Sequence, residues 1–129
     1  MKLLLDTHIW VWSVLEPHRL SRRVQHALQA EDNERWLSPV STWEVLMLHA
    51  KGRIRLYADP AVWISQAMAN TREAPLTHEI ALAAQQLSWK HADPADRFLA
   101  ATAQVLGLTL VTADERLLAL KDIATLANR

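Results

Sequence analysis

A chain of 129 residues, half of them hydrophobic and 22% charged, is long enough to bury one core and too short for two ordinary domains. Its 14 lysines and arginines balance 14 aspartates and glutamates, so any attraction to nucleic acid has to come from a local patch and not from overall charge. The absence of cysteine excludes disulfides, thiolate chemistry and cysteine-ligated zinc or iron–sulfur centres, and two glycines leave little room for flexible linkers.

Leu3-Leu4-Leu5 is a continuous apolar run of the kind that forms a strand buried on both faces, with Asp6 at its carboxyl end. The run is too short for a signal-peptide core, and no apolar stretch approaches the roughly 18 residues of a membrane span, so a cytoplasmic protein is expected. His8 to Leu15 predicts a short helix stopped by Glu16-Pro17, with Trp10 and Trp12 read first as packing residues and second as base-stacking surfaces. Ser21 is an N-cap candidate for a helix to about Ala30, in which Val24, Ala27 and Leu28 share a face. Arg35 to Ser38 reads as a second strand. Ser41-Thr42-Trp43-Glu44 has the capping-box form, serine at N-cap and glutamate at N3, for a helix that stops at Gly52. Lys51, Arg53 and Arg55 make a small basic cluster in the linking segment that follows.

Asp59-Pro60 opens a helix to about Asn70, Glu73 to Leu76 is a minimal strand, and Thr77 begins a helix ending near Trp89. In Asp93-Pro94-Ala95-Asp96, aspartate at N-cap, proline at N1 and aspartate at N3 start a helix that runs through Arg97 to Leu106 and ends at Gly107. Leu108 to Thr112 is a strand rich in branched residues, Ala113 to Arg116 turns into a short helix, and Ile123 to Leu126 is a final edge strand. Strands alternating with helices predict one domain over residues 1–129: a three-layer α/β/α fold with a central, mainly parallel sheet. Sites in such sheets gather where strands end and helices begin.

The acids fall at those places. Asp6 follows the first strand, Glu44 lies in the helix after the second, Asp93 and Asp96 open a helix, and Asp114 follows the penultimate strand. Each has an ordinary structural explanation, because acids in a first helical turn cap N–H groups and complement the helix dipole; Asp6, directly after a buried strand, has the least structural work to do. If they converge, their repulsion calls for a cation. Oxygen donors without cysteine suit Mg²⁺ or Mn²⁺, and with them phosphodiester hydrolysis. Of the six histidines, His8 and His91 lie near these acids and are read as surface or supporting residues. Thr112 is a turn residue that could hold a water or a neighbouring carboxylate.

Leu4-Leu5-Asp6-Thr7-His8, Ser38 to Glu44, Asp93 to Arg97 and Leu110 to Asp114 together resemble the four acidic motifs of PIN-domain nucleases, most closely the VapC-type toxins of bacterial toxin–antitoxin pairs. The resemblance spans essentially the whole chain; each motif is weak alone, and their order and spacing are specific. It implies an α/β/α fold, Mg²⁺-dependent cleavage of single-stranded RNA, homodimerisation, and a cognate antitoxin that blocks the site. By position, Asp6, Glu44, Asp96 and Asp114 match the acid quartet, with Asp6, Asp96 and Asp114 as metal ligands. Asp93 becomes a cap or auxiliary ligand, and Thr112 and Arg97 are auxiliary candidates, Arg97 for an RNA phosphate or an ion pair. Ala95 departs from the bulky aromatic common between the two acids in that branch. Two other readings compete: a binding module in which the acids are only caps, and a phosphoacceptor domain using a strand-end aspartate with Lys121, which lacks the expected paired acids.

Overall fold

The structure, a computed structural model, describes residues 1–90 and 93–129. Five parallel strands form one sheet in the order β3-β2-β1-β4-β5: β1 (Lys2–Leu5), β2 (Glu34–Leu37), β3 (Arg72–Glu73), β4 (Thr109–Thr112) and β5 (Ala124–Ala127). The sheet is wholly parallel, which sharpens the expectation of a mainly parallel one. Parallel strands require crossovers, and the helices supply them: α1 (Thr7–Leu15) and α2 (Arg22–Gln29) before β2, α3 (Pro39–Ala50) and α4 (Pro60–Ala67) before β3, α5 (His78–Gln86) and α6 (Pro94–Leu106) before β4, and α7 (Glu115–Leu118) before β5.

The period-two alternation of β1 divides the core. Leu3 and Leu5 face Ile9, Trp10, Val24, Val45 and Trp63 on one side, where the Trp10 and Trp63 rings lie 5.4 Å apart. Leu4 faces the other side with Leu110, Leu99, Ala100, Ala103 and Leu117. Because β1 is buried on both faces its sequence is uninterrupted leucine, as the apolar run implied. On the outer side of α6, Ala101 lets α5 approach closely through Ile80 and Ala84.

Several boundaries differ from the sequence reading. α1 starts at Thr7, one residue early, because Asp6 itself is its N-cap and accepts from the Thr7 amide. Ser41 is not the cap of α3: Ser38 holds that place, accepting from the Val40 amide, with Pro39 at N1. The apparent capping box therefore lies inside the helix, where Ser41 is buried and Glu44 is two turns in. α4 stops at Ala67 and α5 at Gln86, both short of expectation, and β3 is displaced to Arg72–Glu73. Gly107 ends α6 in the left-handed region at φ 64°, as its place after Leu106 implied. Among the described residues no helix is long and apolar enough to cross a membrane.

Candidate active site

Chain order runs from β1 outward through β2 to β3, then returns to β4 on the opposite side of β1. The carboxyl ends of β1 and β4 are therefore a topological switch point, where two successive crossovers leave in opposite directions and open a crevice. Asp6 stands at the end of β1, and its own amide donates to the Val111 carbonyl of β4 at 3.0 Å. Its Oδ2 accepts from Thr112 Oγ1 at 2.6 Å and its Oδ1 from the Thr7 amide at 2.8 Å, so the carboxylate is held by both strands' ends. Thr112 Oγ1 also accepts from the Asp114 amide at 3.0 Å, which ties the two acidic turns together.

Asp6, Glu44, Asp93, Asp96 and Asp114 all line one open cleft of about 390 Å³, together with Thr7, His8, Trp12, Ala113 and Arg116. The acids arrive by different routes. Asp93 caps α6, accepting from the Ala95 amide at 3.0 Å, so Pro94 sits at N1 and Asp96 at N3. Asp96 is almost fully buried, at 9% exposure like Asp6, whereas a helix-dipole acid is ordinarily solvated. Asp114 caps α7 through the Arg116 amide at 2.9 Å. Glu44 is no cap: it is reached from α1, where Thr7 Oγ1 lies within hydrogen-bonding distance of both its Oε1 and Ser41 Oγ.

The acids disturb one another. Burial pushes the Asp6 carboxyl up, against the opposing pull of its Thr112 and Thr7 hydrogen bonds, and Asp114 adds to the rise. Burial likewise raises Glu44, against the opposing pull of the Thr7 bond and with further increments from Asp6, Asp93 and Asp96. A cleft so short of positive charge fits a hard divalent cation: the donors are oxygens from four separate segments, and no sulfur lines it. Among the described residues no three acids or histidines are grouped closely enough to hold a metal ion as the side chains stand.

Arg97 does not serve this cleft. Its guanidinium clips the end of α5 instead, donating to the Ala84 carbonyl at 2.7 and 3.1 Å and to the Trp89 carbonyl at 2.7 Å. These bonds serve carbonyls that a helix terminus leaves without intrahelical donors. Lys51, Arg53 and Arg55 also do not line the cleft; from Glu44 to Lys51 helix α3 rises about 10 Å away from it. Trp10 is core, while Trp12, partly buried, reaches the cleft beside His8, at 5.8 Å between rings. His91 lies outside the described residues. Two cleft residues were missed from sequence: Thr7, which holds Glu44, and Arg116, whose Nη2 is 3.0 Å from Asp114 Oδ2 and 3.9 Å from Asp96 Oδ2. Adjacency to Asp6 was the available signal for Thr7, and the spacing of two from Asp114 for Arg116.

Fold and site define a three-layer α/β protein with a carboxylate-lined cleft at the switch point of a parallel sheet. The family model of the PIN domain matches residues 3–123, and the chain belongs to that family. It is 36% identical over 116 residues to Ribonuclease VapC22 of Mycobacterium tuberculosis, an alignment covering 89% of this chain and 88% of that protein. The fold is similar to that of a chain in VapBC2 from Rickettsia felis bound to a promoter DNA fragment, with TM-score 0.75, 15% identity and 98% of each chain covered. A chain of VapBC-1 from nontypeable Haemophilus influenzae gives TM-score 0.74 at 17% identity, again over 98% of each chain.

Proposed function

We propose that this chain is a divalent-metal-dependent endoribonuclease that cleaves single-stranded RNA, and that it is the toxin of a toxin–antitoxin pair. The observation that carries the chemistry is the meeting of Asp6, Glu44, Asp96 and Asp114, from four separate segments, in one cleft. The relative named a ribonuclease supports RNA as the substrate, and the VapBC assemblies support an antitoxin partner. Homodimerisation belongs to the same reading.

In this mechanism Asp6, Asp96 and Asp114 would hold Mg²⁺ or Mn²⁺, with Asp93 as cap and reserve ligand. The chemistry such an ion would supply there is a lowered pKa for a coordinated water and an offset to charge on the phosphoryl and leaving oxygens. Thr112 fixes the rotamer of Asp6, and Thr7 fixes that of Glu44. Glu44, its carboxyl raised by burial and by three neighbouring acids, is suited to orient water and accept its proton.

Cleavage of defined single-stranded RNAs by the purified chain, with Mg²⁺ and with EDTA, tests the reading; no cleavage in Mg²⁺, or equal cleavage in EDTA, would sink it. Co-expression with any small protein encoded beside it tests the biological half, since a partner that relieves growth arrest is the expected result. One observation favours a second reading. Asp6, Asp93 and Asp114 each cap a helix, so a catalytically inactive protein-binding module of the same fold could use them for capping alone. It predicts neither metal-stimulated cleavage nor growth arrest.

A further inference from the structure

Among the described residues that line the cleft, Arg116 is the only lysine or arginine. Its position is built and not incidental. Helix α7 starts at Asp114, whose Oδ1 accepts from both the amide and Nε of Arg116, at 2.9 and 3.2 Å, while Nη2 reaches Oδ2 at 3.0 Å. The same Nη2 points across the cleft to Asp96 at 3.9 Å. The guanidinium thus bridges two acids carried by different helices, and it does so from a side chain that is 60% exposed.

An arginine so placed competes with any cation those carboxylates would hold, and is itself a ready donor to phosphate. We propose that Arg116 is an exchangeable counter-cation: a divalent ion displaces it from Asp96 and Asp114, and the released guanidinium binds a phosphodiester of the RNA. The proposal rests on the nuclease reading above. It answers a physical difficulty in that reading, because a polyanion has to enter a cleft lined by five carboxylates. Metal binding at Asp96 and Asp114 brings like charge against the guanidinium, and the arriving phosphate is its nearest new partner.

Two measurements test it. In a Mn²⁺ titration followed by electron paramagnetic resonance, which reads bound metal without turnover, Arg116→Ala is expected to bind roughly three- to tenfold more tightly than wild type. Arg129→Ala, which removes an equal charge from the exposed Glu115 pair, serves as the control and should bind as wild type does. With Ca²⁺ present and a fluorescent RNA oligonucleotide, Arg116→Ala should weaken binding and lower the salt slope by about 0.7, the value of one single-strand phosphate contact. Equal Mn²⁺ affinity in wild type and Arg116→Ala, an equal gain in Arg129→Ala, or an unchanged RNA salt slope each overturns the proposal while leaving the nuclease reading standing. Absence of Mn²⁺ binding in all three proteins overturns both.

Discussion

Asp6 carries two tasks that pull against each other. As N-cap of α1 and acceptor from Thr112 it organises the ends of β1 and β4, yet burial and Asp114 hold its carboxyl above the ordinary value. A raised carboxyl means that the folded chain binds the proton more tightly than the unfolded one. Stability is then fully present below the unfolded value and is lost as pH rises through the folded one. In the metal-free chain folding therefore disfavours the ionised form of this buried acid. Asp6→Asn keeps an acceptor for the Thr7 amide and removes that charge. The expected result is loss of metal-dependent cleavage with a metal-free melting temperature at pH 7 at or above wild type, the difference closing in acid; a clear fall in melting temperature would place Asp6 in the structure alone. Thr112→Val frees the Asp6 rotamer and should reduce cleavage while costing about 1–3 kcal/mol for the buried acceptor left behind, measured by urea denaturation. The place of Asp6 at the cleft was legible from its position after a buried strand. Its capping role was not, because a cap depends on where the backbone turns.

Among the elements, α6 was read most accurately. Asp93, Pro94, Asp96 and Gly107 occupy N-cap, N1, N3 and the left-handed terminal position, as their order implied, because each satisfies a local backbone requirement. The two acids hold different places at this scale, Asp93 as the cap and Asp96 as a buried N3 residue. Asp93→Ala should cost about 1 kcal/mol of stability as a lost cap and leave measurable cleavage, whereas Asp96→Asn should abolish cleavage with little change in the denaturation midpoint. Equal loss of cleavage in the two would make Asp93 a ligand in its own right. Helix α3 was misread at its start: Ser41 and Glu44 fit the capping-box pattern, but Ser38-Pro39 fits an N-cap followed by N1 as well, and the strand end at Leu37 selected it. The hold of Arg97 on the end of α5 was not legible for a related reason, since nothing local announces that α5 ends at Gln86 with its carbonyls in reach. Arg97→Met should leave those carbonyls unpaired, lowering stability by about 1–3 kcal/mol and loosening α5, detectable by amide hydrogen exchange in residues 78–86.

At the scale of the whole molecule the cleft is where the strand order reverses, so residues far apart in the chain converge there without any one helix being specialised for it. An ion that binds this meeting point binds only the folded chain. At about 100 times its Kd it should stabilise by about 2.7 kcal/mol, seen as a rise in melting temperature on adding Mg²⁺ or Mn²⁺. Asp6→Asn and Asp96→Asn should lose the rise, and a rise kept in both variants would move the ion elsewhere.

The sequence by itself determined what local physics decides: a leucine strand buried on both faces, helices opened by Asp-Pro steps and closed by glycine, and a crossover pattern that calls for a mainly parallel sheet. It also determined the supply of carboxylates and the absence of sulfur. Tertiary structure alone decided which groups meet. Thr112 reaches Asp6 across 106 positions of chain, Thr7 reaches Glu44 across 37, and Arg116 finds Asp96 on another helix. Those contacts follow from strand order and helix packing, which no short stretch of residues encodes.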